Sequence, residues 1–235
     1  MYRIFFLFFF VFCFSCSQSS EAFLKKGKEL MQSGQTKEAI EFINKAIEKN
    51  TSNADAFNVR GVAYYEMKSF PNALLDFDQA IELQPTAYRP YYNKGLLFTD
   101  QNKLDSALAN YDLAAKYAPD TADVYLNRGM VHTLLDSREL ALADFKKASD
   151  LNANSVMAWY NMGNIYFHDK NYKEAAQAFR QTVSLDPSSG KAFYGLALCY
   201  YQLNETDLTC TTLQQAVSLG YTDAKIALEK YCKKD

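Results

Sequence analysis

The chain has 235 residues, with 25 Lys and Arg against 27 Asp and Glu and a net charge of −2 at pH 7. Apolar types make up 49% of it and aromatics 15%, which excludes a chain too polar to bury a core. The near-balanced charge shows no basic stripe and argues against a nucleic-acid partner.

The first element is a leader. Arg3 is followed by an apolar run from Ile4 to Phe14, and the chain turns polar at Ser17-Gln-Ser-Ser-Glu21. A membrane span needs about 20 apolar residues. A run this short fits the apolar core of a secretory signal instead. Residues 1–15 are therefore read as a signal peptide and residues 16–19 as a short polar tether. The segment resembles a bacterial lipoprotein signal, with Ser15 before the cut and Cys16 as the residue that would be lipidated. Cys13 and Phe14 depart from the usual pattern, and the alternative is a plain secretory signal in which Cys16 is incidental. The resemblance implies a membrane partner through a lipid anchor, since each buried CH₂ contributes about 0.8 kcal/mol and several acyl chains hold stably. With Ser at position 17 it further implies a bacterial envelope location, at the outer membrane and facing the periplasm or the exterior.

After the leader the chain repeats. Gly27, Gly61, Gly95, Gly129 and Gly163 recur every 34 residues, in step with Ala39, Ala73, Ala107, Ala141 and Ala175. A period of this length marks stacked copies of one supersecondary unit. In the second copy, Phe57, Gly61 and Tyr64 share one helical face, and Ala73, Phe77 and Ala80 share another. Pro71 suits a first helical turn, and Pro85 ends the second helix. Each copy therefore reads as two antiparallel helices. A glycine inside a helix costs about 1 kcal/mol relative to Ala, so its recurrence implies a packing reason. Gly61 and Ala73 are read as the two small sides of one close crossing. Six copies follow without insertion: 20–53, 54–87, 88–121, 122–155, 156–189 and 190–223. The last is the most divergent, with Ala197 in the glycine slot. Residues 224–235 read as a final helix, with Ala224, Ala227, Leu228 and Tyr231 on one face and lysines mostly off it, as a terminal cap requires.

The slots resemble those of the tetratricopeptide repeat family. The leading aromatic slot holds Phe23, Phe57, Tyr91, Tyr125, Trp159 and Phe193. The Tyr slot holds Leu30, Tyr64, Phe98, His132, Tyr166 and Tyr200, and a closing Pro stands at Pro85, Pro119 and Pro187. The resemblance implies an all-α, right-handed superhelical solenoid of six helix-turn-helix repeats plus a C-terminal capping helix. It also implies a concave groove lined by the first helices.

No constellation for catalysis is visible. His132 sits in an aromatic core slot, and His168 reads as solvated. Neither shares metal-ligand spacing with the cysteines, so no metal or cofactor is expected. The acidic residues, Asp76 and Asp78 among them, read as solvated helix faces. Cys199 and Cys210 take slots held elsewhere by apolar residues and read as buried free thiols, with a disulfide between them as the alternative. The chain is accordingly not expected to be an enzyme.

If the resemblance holds, the groove slots carry Tyr92, Tyr160 and Tyr194, then Asn93, Asn127 and Asn161, then Asn164, then Tyr65, Phe167 and Tyr201. A side-chain amide carries both a donor and an acceptor, so one Asn per copy suits the backbone of an extended peptide. The carboxylate-clamp pattern known in some tetratricopeptide proteins is not matched, because Leu126 and Gly195 stand where cations belong. The expected function is a membrane-anchored, non-enzymatic scaffold binding an extended segment of a protein partner. The alternatives are a pilotin-like assembly factor of an outer-membrane machine, an adaptor of an envelope enzyme, a eukaryotic secretory-pathway co-chaperone, and self-association.

Overall fold

The computed structural model describes residues 19–232. The leader, Cys16 and most of the tether lie outside the described residues, as do Lys233 and Lys234 of the expected cap. The described residues form thirteen α-helices and no strand, and the chain divides into two compact units at Pro85 and Thr86.

The first unit holds α1 (Ser20–Gln32), α2 (Thr36–Lys49), α3 (Ala54–Glu66) and α4 (Phe70–Leu83). Side chains open two of these helices: Ser19 Oγ accepts from the Ala22 N–H at 3.2 Å, and Asn53 Oδ1 from the Ala56 N–H at 3.1 Å. Each satisfies a donor that the first helical turn leaves without an intrahelical partner. Pro71 lies in the first turn of α4, and α4 stops two residues before Pro85. Helices α1 and α2 pack as one pair, α3 and α4 as the next, and α2 meets α3. Leu24, Leu30, Ala39, Ile43, Ala46, Ala56 and Val59 form one buried cluster across the first three.

The second unit repeats the plan. It holds α5 (Tyr88–Asp100), α6 (Leu104–Tyr117), α7 (Ala122–Leu134), α8 (Arg138–Leu151), α9 (Val156–His168), α10 (Tyr172–Leu185), α11 (Gly190–Gln202), α12 (Thr206–Ser218) and α13 (Thr222–Tyr231). Odd and even helices pair in succession, and α13 packs on α12. The leading aromatics use their polar ends to fix the loop before them: the Tyr125 hydroxyl donates to the Pro119 carbonyl at 3.1 Å, and the Trp159 indole N–H to the Ala153 carbonyl at 3.0 Å.

The glycines have a different partner from the one expected. A Cβ on Gly61 would meet the Phe77 ring at 2.6 Å, and the Ala73 carbonyl oxygen only at 3.2 Å. Gly95 faces Tyr111 at 2.6 Å, Gly129 faces Phe145 at 2.9 Å, and Gly163 faces Phe179 at 2.8 Å. In these four repeats the small residue in the first helix therefore makes room chiefly for a ring four residues beyond the alanine, and in the first repeat Gly27 makes room for Ile43 at 2.6 Å. In the sixth repeat the two slots hold Ala197 and Leu213, and both are fully buried.

Asp76 is a correction. It is only 5% exposed, and its carboxylate takes two hydrogen bonds from Arg60, at 2.8 and 2.7 Å. Arg60 also donates to Asn44 at 2.7 Å. The second unit repeats the device: Arg128 grips the buried Asp144 at 2.8 and 2.6 Å and reaches back to Asp112 at 2.8 Å. Each arginine thus ties its own helix pair to the helix before it. The Asp144 hydrogen bonds are the chief cause of the Arg128 guanidinium's raised pKa.

The cysteines are a second correction. Cys199 is buried and free, and burial pushes its thiol up to about 12. Cys210, by contrast, is bonded to Cys232, with Cα atoms 5.6 Å apart. This bridge staples the end of α13 to α12 across a cluster built on Ala197, Leu213, Ala216, Ala224 and Ala227.

Candidate functional site

The odd-numbered helices carry the expected groove residues, and the structure places them in three ways. Several of them line concavities of the second unit. Tyr92 and Asn93 share a cavity of about 220 Å³ with Tyr88, Arg89, Thr121 and Asp123. Tyr160 and Asn161 line another of about 220 Å³, with Met130, Met157 and Lys191. Tyr160 also lines a third of about 200 Å³, together with Asn164, Phe167 and Tyr194.

Asn127 is engaged within the fold. Its amide nitrogen donates to the Tyr92 hydroxyl at 3.1 Å and to the Asp123 carbonyl at 2.8 Å, which ties α7 to α5. The amides of Asn161 and Asn164, in contrast, have no hydrogen-bond partner among the described residues. Tyr201 stacks on Tyr231 of α13 with centroids 4.0 Å apart, so the cap covers one face of it. Tyr65 belongs to the first unit, where its ring lies 6.1 Å from Phe70.

The first unit has a concavity that sequence reasoning missed. Met31, Val59 and Val62 line about 340 Å³, with Lys28, Gln32 and Glu66. Lys28 pairs with Asp55 at 2.6 Å. The signal was present: Val62 and Lys28 occupy the repeat slot of Asn164, and Met31 that of Phe167. Lys191, Gly195 and Tyr221 were also missed as lining residues of the second unit.

The electrostatics of this surface are mild. Tyr92, Tyr194 and Tyr221 hold their protons more firmly than a free phenol, chiefly because burial disfavours the phenolate. His132 lies 3.9 Å from Asp144. Desolvation outweighs that carboxylate and lowers the imidazole's pKa. His168 is exposed beside Asp169. Among the described residues no three His, Cys, Asp or Glu side chains gather where they could hold a metal. No helix of the described residues is long and apolar enough to cross a membrane. Concave, aromatic and amide-rich surfaces of this kind recognise shape and hydrogen-bonding groups.

Family models described as tetratricopeptide repeat match residues 54–87, 122–155, 156–189 and 191–219. A model described as TPR repeat matches 27–68 and 95–135. No curated protein matches the sequence. Among solved structures, Pseudomonas aeruginosa PilF is similar over 88% of this chain and 97% of its own, at 19% identity and a TM-score of 0.77. PilW, described as a widely conserved type IV pilus biogenesis factor, covers 91% and 98% at 19% identity and a TM-score of 0.71. YrrB, described as a TPR protein with an unusual peptide-binding site, covers 80% and 97% at 23% identity and a TM-score of 0.70. At these identities the likeness establishes the fold. With family models matching most of its length, the chain belongs to the tetratricopeptide repeat family.

Proposed function

We propose that this protein is a membrane-anchored scaffold that binds an extended segment of a partner protein along its first-helix surface. Tetratricopeptide repeats support a protein–protein interaction role. The observation that carries the finer reading is the cluster of Tyr160, Asn161, Asn164, Phe167 and Tyr194 around adjoining concavities, with two amides not used by the fold. Those amides offer donors and acceptors to any peptide backbone, and the rings supply apolar area at low entropic cost. Asn127 serves the surface differently, by fixing Tyr92.

The anchor is proposed to be a lipid on Cys16. Support for an envelope location comes from the Cys210–Cys232 bridge, since structural disulfides persist in oxidising compartments. The architecture shared with PilF and PilW suggests an envelope machine as the first place to seek the partner.

Affinity capture from native membranes tests the scaffold. The full chain should retain a partner that an Asn161→Ala/Asn164→Ala variant loses. Equal capture by both removes these amides from the reading. Mass spectrometry of the mature N-terminus tests the anchor: an unmodified terminus anywhere after Cys16 excludes it.

A further inference from the structure

The series Asn93, Asn127, Asn161 continues at the same interval to residue 195, which is glycine. The missing side chain matters. A Cβ there would stand 2.8 Å from the Phe179 ring, so the glycine lets that ring pack directly against α11, and both residues line the third concavity. Phe179 itself is buried in the core and meets Tyr160 edge-on at 5.8 Å. Tyr194 and Tyr221, 5.1 Å apart between centroids, form a second wall.

The mouth is polar on one side. The Lys191 ammonium lies 4.5 Å above the Tyr160 ring. It has no carboxylate within ion-pair distance among the described residues. It also lines the neighbouring concavity beside Asn161, so one cation serves both.

We propose that this third concavity, lined by Gly195, Phe179, Tyr160 and Tyr194, is the anchoring pocket of the groove, and that it takes a large apolar side chain of an extended peptide whose neighbouring carboxylate sits at Lys191. This rests on the peptide-groove reading above. Burying an apolar side chain against aromatic walls is favourable in proportion to the area removed from water. An acidic neighbour of that side chain is attracted to the Lys191 ammonium at the mouth. Asn161 and Asn164 flank the pocket and can hold the peptide backbone on either side.

Selection of a random-peptide phage library on the immobilised full-length chain tests this, followed by fluorescence anisotropy of the enriched peptides. The expected peptides carry a large apolar residue with Asp or Glu close beside it. Tyr194→Ala, which removes one wall of the pocket without crowding Phe179, should weaken them by about tenfold or more, the loss typical of a buried anchor. Lys191→Glu changes an exposed side chain and leaves the fold intact. It should weaken the same peptides severalfold, but not versions in which the acid is replaced by its amide. Enriched peptides without a shared apolar residue overturn the proposal. So do peptides that bind both variants as tightly as the wild type. Peptides lost in Asn161→Ala/Asn164→Ala but indifferent to both pocket variants refute the pocket and leave the groove. Failure to enrich any peptide refutes the groove and the pocket together.

Discussion

Phe179 is the place where the glycine period can be tested as mechanics. Its ring lies between two glycines: a Cβ on Gly163 would stand 2.8 to 3.0 Å from it, and one on Gly195 the same. Gly163→Ala gains about 1 kcal/mol of helix propensity. Forcing an extra carbon into a packed core costs about 1–3 kcal/mol. The ring cannot move away from α9 without approaching α11, so the cost falls in the upper half of that range. The variant should therefore be destabilised by about 1–2 kcal/mol, although Ala is the better helix former. Phe179→Leu alone loses part of the 3–5 kcal/mol typical of a buried Phe cut to Ala. Combined with Gly163→Ala it should recover up to about 2–3 kcal/mol relative to additivity, the clash that the smaller side chain relieves. Trp159, the sole tryptophan, lies one turn from Gly163 and reports urea unfolding locally. Local reporting matters because repeat arrays need not unfold as one unit. Strict additivity of the two substitutions, or a Gly163→Ala variant more stable than the wild type, would refute the reasoning.

Three further outcomes follow from the described contacts. Asp144→Ala leaves the Arg128 guanidinium half-buried without the two bonds to its buried partner and should cost about 3 kcal/mol in urea unfolding; Asp112→Ala, at a side chain 63% exposed, should cost under about 1 kcal/mol. Replacing Cys210 and Cys232 by Ser opens a bridge between residues 22 apart and should cost the C-terminal pair about 3 kcal/mol by loop entropy, seen as faster hydrogen exchange confined to α12 and α13. His132 has a depressed pKa in the fold, so the unfolded chain takes up its proton first. Stability should fall as pH drops from about 6.5 toward the folded value, and a thermal-melt series should show His132→Phe blunting that fall.

The helix pairs were readable because each glycine keeps its distance from the next, and only a repeated packing demand explains that. Its partner was misread. Small residues invite pairing with small residues, whereas the crossing places Phe77, not Ala73, over Gly61. That error concealed a second one. Arg60 and Asp76 are separated by the same sixteen residues as Gly61 and Phe77. Once the register of the crossing is known, a buried pair follows; without it, Asp76 looks like one more surface acid beside the exposed Leu75. Cys232 lies in the tail, which has no counterpart slot in the period, so nothing local pointed to Cys210. In the groove, slot position located Tyr160, Asn161, Asn164 and Phe167 together. It could not tell that Asn127 is occupied by Tyr92, because that depends on how a side chain one repeat earlier is turned.

Site-specific photo-crosslinking in living cells tests the central claim most directly. A benzophenone amino acid at Asn164, on the proposed binding face, should join the protein to a partner. The same group at the exposed Leu140 of α8 should not. Crosslinks from Leu140 with none from Asn164 would place the partner on the second helices and contradict the account.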